Sequence, residues 1–153
     1  MVFREFQKKL IIRMDISNSL LKVIHTKKGL LRKVLDKNDK NFFGFGEAYI
    51  SEINFNEVKG WKKHRNKISN FVVVHGTVKF VAWHPKKPTI FESFILNVSN
   101  KDNQYSRLCI RENIWFAFKG MENPVSRILN ISNICNEDVV SDSLDIDSVK
   151  YIW

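Results

Sequence analysis

FVVVHGTVKFVAW, Phe71 to Trp83, decides the fold. It holds two runs of β-branched and aromatic residues, side chains that suit a pleated, half-buried surface. Gly76 divides the runs and marks a bend or turn between two strands. Three further stretches have the same character: TIFESFILNVS from Thr89, SRLCIRENIWFAF from Ser106 with a turn at Asn113, and SRILNISNI from Ser126. In the last, Ile128, Asn130 and Ser132 fall on one side of an extended chain, and Leu129, Ile131 and Asn133 on the other. Strands recurring about every dozen residues, with no long 3.6-residue period between them, predict an all-β sandwich or barrel. Short peripheral helices are expected at Arg4–Leu10 and at Ser141–Val149.

The composition agrees with one folded domain over residues 1–153. Hydrophobic residues make up 44%, with 12 Phe and 4 Trp, enough to bury a core. No run approaches the roughly 18–20 apolar residues of a membrane helix. The N-terminal stretch MVFREFQKKLIIRMD is broken by Arg4, Glu5, Lys8, Lys9 and Arg13 and does not read as a secretory signal. A cytoplasmic protein is therefore expected. Cys109 and Cys135 belong to no CxxC or metal-type spacing, and in a reducing compartment they read as buried, inert thiols.

The net charge of +9 is uneven: residues 1–67 carry sixteen Lys and Arg against seven acids, and residues 68–153 carry nine of each. Solvated lysines account for this most simply, and an anionic small ligand comes next. Nucleic acid is not expected as a partner, because no RNP, KH or helix-turn-helix signature accompanies the charge. Residues 137–153 hold five acids and one Lys and end in the apolar YIW, which reads as a polar cover with an anchor.

The stretch KGWKKHRNKISNFVVVHG, Lys59 to Gly76, carries the candidate chemistry. Small double-stranded β-helix barrels of the cupin class often bind a metal through HxH, a glutamate and a glycine at fixed spacing. That register falls here on Lys62, His64, Ser69 and Gly76, and the second motif of that class falls on Arg111, Asn113 and Phe116. One imidazole does not make a metal site, so neither a metal nor another cofactor is expected. Lys62 and His64, two residues apart, share one face of a strand. Glu47, Tyr49 and Ser51 alternate in the same way along GEAYISE.

Three blocks carry a resemblance: GFGEAYISEINFNEVKGWKKH (Gly44–His64), FVVVHGTVKFV (Phe71–Val81) and RLCIRENIWFAFKG (Arg107–Gly120). Over roughly Phe43 to Trp153 the chain resembles the metal-free, RmlC-like cupins of the dTDP-4-dehydrorhamnose 3,5-epimerase superfamily. The likeness is strongest to short members of surface-polysaccharide gene clusters. KGWxxH and NIWFAFKG are the most specific parts, and residues 1–42 match loosely. The resemblance implies a jelly-roll barrel, a homodimer that exchanges N-terminal strands, and a pocket for a dTDP- or UDP-linked 4-keto sugar.

The chemistry so implied is proton transfer beside a ketone, which needs a base, an oxyanion stabiliser and a proton donor. The family's catalytic histidine falls on Lys62, its oxyanion-side lysine near Ser69, and its acid tyrosine in the strand of Leu129 and Asn130. With those roles displaced, His64 is the candidate base, Tyr49 the candidate acid and Lys62 the electrostatic support. Glu47, Trp61, Lys63, Arg65, Ser69, Arg107 and Trp115 are candidate substrate contacts, Arg107 as a guanidinium that could fork a diphosphate. For each, an ordinary structural role stands beside the functional one. The alternative for the whole chain is a sugar-nucleotide binder or accessory protein that kept the barrel without the catalytic set.

Overall fold

The computed structural model describes residues 15–98 and 105–153. The described chain forms strands β1 (Ile16–Leu20), β2 (Val23–Thr26), β3 (Gly29–Arg32), β4 (Glu47–Asn54), β5 (Val58–His64) and β6 (Ser69–His75). It continues with β7 (Thr77–Trp83), β8 (Phe91–Asn97), β9 (Ser106–Ile110), β10 (Trp115–Gly120), β11 (Val125–Ser132) and β12 (Ser141–Ser143). Two five-stranded sheets, ordered β1-β9-β6-β11-β4 and β12-β5-β10-β7-β8, lie over each other, and β2-β3 forms a separate hairpin. The paired strands are antiparallel. This is the jelly-roll arrangement of a cupin barrel.

The two runs of the Phe71–Trp83 stretch become β6 in the first sheet and β7 in the second. Between them Gly76 takes φ +74°, where a Cβ would lie 2.7 Å from the Cβ of Glu122. Only glycine turns the chain there without strain. Asn113, at the expected turn between β9 and β10, also has positive φ, at +64°.

Alternation along β7 and β10 sends side chains to two separate cores. Val78, Phe80, Ala82 and Phe116 face inward and pack between the sheets with Phe71, Leu108 and Ile128. Phe71 meets Phe80 and Phe116 at ring separations of 5.2 and 5.6 Å, within the favourable range for aromatic pairs. Val81, Trp115 and Ala117 face outward with Trp61, and there the C-terminal segment covers them through Val149, Tyr151 and Trp153. The YIW end is thus an anchor on the outer face of the second sheet, with Ile152 between the two rings 95% exposed.

The helix expected at Ser141–Val149 is replaced by β12 followed by a single 3-10 turn, Ile146–Ser148. The edge of β5 captures this segment, pairing Ser141 with His64, Asp142 with Lys63 and Ser143 with Lys62. Sheet pairing outweighs the weak helical preference of an acidic, serine-rich run. The helix expected at Arg4–Leu10 lies outside the described residues.

Candidate functional site

A cleft of about 240 Å³ opens between the two sheets. β5 contributes Lys59, Gly60, Lys62 and His64; β4 contributes Tyr49 and Ser51; β11 contributes Asn130. Phe71, Phe116 and Phe118 provide apolar wall, Lys67 enters from the loop between β5 and β6, and Asn136 from the 3-10 turn Asn136–Asp138. The two-residue period of β5 brings Lys62 and His64 to the cleft together. Gly60 has φ +137° and crosses β10 so closely that a Cβ would lie 2.4 Å from the Cβ of Ala117. The same crossing carries a register irregularity between Phe116 and Phe118.

The His64 ring lies edge-on to Phe116 at 5.7 Å, and its Nδ1 is 2.7 Å from the Ser141 hydroxyl of β12. For Nε2 to accept a proton, Nδ1 must carry the ring hydrogen and donate it to Ser141 Oγ. Burial, then the positive charges of Lys67 and Lys62, push the His64 pKa down to about 4. At neutral pH the imidazole is therefore uncharged and free to take a proton.

Lys67 is 1% exposed, and its ammonium sits 5.3 Å from the centroid of the Tyr49 ring. Burial lowers its pKa, and the nearby Glu47 carboxylate opposes that. Across the register pair Asn130–Tyr49, the Asn130 amide Nδ2 donates to the Tyr49 phenol oxygen at 2.7 Å. The cleft thus joins an uncharged imidazole, a phenol with a donor on its oxygen, and two lysines over an aromatic floor. That set can remove, hold and return a proton beside a developing negative charge. Among the described residues, no three His, Cys, Asp or Glu side chains gather where they could hold a metal ion.

The remaining sequence candidates fall elsewhere. Trp61 is fully buried in the outer core, on the face of β5 opposite Lys62. Lys63 follows it outward, 2.9 Å from Asp142 and 5.1 Å from the Trp115 ring, and Trp115 itself is 7% exposed in that core. Arg65 engages Asp142 through two hydrogen bonds, of 2.6 and 3.0 Å. These two cations push the Asp142 carboxyl down to about 2, the Arg65 hydrogen bond contributing most. Ser69 is buried at the start of β6 and outside the cleft wall. The Arg107 guanidinium is 1% exposed, donating to the carbonyl of Val34 at 2.6 Å and to Asp39 at 3.1 Å. These contacts use it to tie β9 to the loop before β4, away from the cleft. Cys109 is buried and free, its thiol pushed up to about 11 by burial.

Sequence reasoning missed Lys67, Asn130 and Ser141. Lys67 stands two residues before Ser69, the position where the resemblance places the oxyanion-side lysine, and that spacing was the available signal. For Asn130 the signal was the resemblance that places the acid tyrosine in its strand; Ser141 carried none, since it matters only through the strand it pairs with.

No family model matches the chain, and no curated protein matches it. Solved structures do. A dTDP sugar isomerase from Desulfovibrio desulfuricans is 24% identical, over 91% of this chain and 90% of that one, with a TM-score of 0.79. A sugar 3,4-ketoisomerase from Thermoanaerobacterium thermosaccharolyticum, solved with TDP, is 17% identical over 88% and 90%, with a TM-score of 0.66. The dTDP-6-deoxy-D-glucose-3,5-epimerase RmlC of Legionella pneumophila, in complex with dTDP-4-keto-L-rhamnose, is 12% identical over 86% and 73%, with a TM-score of 0.70. The chain therefore has the RmlC-like cupin fold that these sugar-nucleotide isomerases and epimerases share.

Proposed function

We propose that this protein is an isomerase or epimerase of a nucleotide-linked 4-keto sugar, dTDP- or UDP-linked, serving surface-polysaccharide synthesis. The observation that carries the reading is the meeting of His64, Tyr49, Lys62 and Lys67 in one cleft with an apolar floor. His64 Nε2 takes the proton from the carbon beside the ketone, and the electron pair moves to the ketone oxygen. Lys62 and Lys67 offset the enolate charge in a cleft where burial strengthens their field. Tyr49 then returns a proton from its phenol. The neighbouring folds support the substrate class, since two of the three were solved with TDP or a dTDP-keto sugar. Exposed apolar side chains on the β1–β3 region, Leu20, Leu30 and Leu31, support a homodimer.

One observation favours the binding-only alternative. The partner of His64 Nδ1 is a hydroxyl rather than a carboxylate, so nothing there raises the basicity of an imidazole already pushed down to about 4. Incubation with dTDP-4-keto-6-deoxyglucose in heavy water separates the readings. An enzyme introduces deuterium beside the ketone, and the His64→Gln variant loses at least a hundredfold in that rate. Nucleotide binding without exchange would leave the accessory role in its place.

A further inference from the structure

Asn130 is a buried amide with an unusual balance of contacts. It is 3% exposed, its backbone lies in the ladders of both β4 and β6, and its side chain borders the cleft. One end of the amide, Nδ2, donates to the Tyr49 phenol oxygen at 2.7 Å. The other end, Oδ1, is buried with no hydrogen-bond partner among the described residues. Two and four residues away on the same face of β11 sit Ile128 and Ser126, both sealed from solvent. A packing role alone would suit an apolar side chain better there, because a buried acceptor left unpaired is costly.

We infer that Asn130 is a positioning residue that turns the Tyr49 hydroxyl hydrogen away from the protein and into the cleft. A phenol oxygen accepts as well as donates. With its accepting side taken by the Asn130 amide, the phenol's own hydrogen has no acceptor among the described residues and is left for the substrate. The Lys67 ammonium over the ring, 5.3 Å from its centroid, adds a second stabiliser for the oxygen once that hydrogen has left. The inference rests on the proton-transfer reading above and assigns the polarity of its second half. In the first half a C–H bond breaks and an N–H bond forms on His64. In the second the Tyr49 O–H bond breaks, a C–H bond forms, and the phenolate is held by Asn130 and Lys67 until solvent returns its proton.

The test is the Asn130→Asp variant, which keeps the shape but replaces the donor by an acceptor. The hydroxyl hydrogen then turns back to the carboxylate. With dTDP-4-keto-6-deoxyglucose in heavy water, product formation should fall at least tenfold, while deuterium exchange beside the ketone stays within about threefold of the parent. A parallel fall in both, or no fall in either, overturns the inference. Absence of both exchange and product in the unsubstituted chain overturns the activity itself and the inference with it. Should the variant not fold, the parent chain carries the test. The Asn130 side-chain amide protons should be protected from exchange with solvent and lose that protection in Tyr49→Phe; unchanged protection overturns the assigned polarity.

Discussion

Replacing Lys67 with methionine removes one ammonium from beside His64 while keeping most of the buried stem. The His64 pKa lies near 4 against an ordinary 6.5, a displacement of about 2.5 pH units. That corresponds to roughly 3.4 kcal/mol between the two protonation states before any allowance for water in the open cleft, which reduces it severalfold. Burial is the largest cause, Lys67 the second and Lys62 the third. A second-ranked contribution can supply no more than half, so Lys67→Met should raise the midpoint by roughly 0.5–1.2 pH units. The direct assay is titration of the His64 Cε1–H resonance, assigned by its loss in His64→Gln. The stability consequence has a definite sign. Between about pH 6.5 and 4 the unfolded chain binds the His64 proton and the folded chain does not, so the folded state weakens as pH falls through that window. Lys67→Met should narrow the window from its acid side. A midpoint above 6 in the parent chain, or no rise in the variant, would show that the cleft is too wet for burial and lysine charge to govern the imidazole.

Two further outcomes follow from the packing and the ion pairs. Phe80, 1% exposed between Phe71 and Phe118, should cost about 3–5 kcal/mol when cut to alanine, read as a lower urea midpoint at unchanged slope. Asp142→Asn releases Lys63 and Arg65, and the folded pKa of about 2 lies below the ordinary 3.8. The stabilisation is therefore present above about pH 4 and lost toward pH 2. The parent should melt higher than the variant at pH 7, and the difference should close across that acid window.

Much of the barrel was legible because its signals are local. The β-branched runs around Gly76, the Asn113 turn and the alternation of Ile128, Asn130 and Ser132 each depend on residues close in sequence. The cleft lining was legible where the same period applied: Lys62 with His64, and Tyr49 with Ser51, do share the cleft. The outer face of β5 was not. Trp61 and Lys63 alternate with Lys62 and His64, and nothing local says that the C-terminal segment covers one side with a second apolar core. Lys67 reads as a solvated charge and Arg107 as a diphosphate contact, yet each is 1% exposed. Arg107 is held by Asp39 and Val34 from the distant N-terminal part of the chain, and the Lys67 ammonium, from the loop after β5, lies against the Tyr49 ring of β4. Such burial is a property of the assembled sheets, which no window of sequence contains.

Strand β12 has a kinetic consequence for the cleft. It is three residues long and lies at a sheet edge. It is fastened by backbone bonds between Arg65 and Val140 and, in both directions, between Trp61 and Leu144. Ser141, the partner of His64 Nδ1, rides on it. Short edge strands fray at a free energy far below that of global unfolding. Each fraying event frees the imidazole to rotate and exchange tautomers, and each re-annealing resets it. If His64 is the base proposed above, the lifetime of its working orientation is set by a backbone zipper on the outside of the barrel.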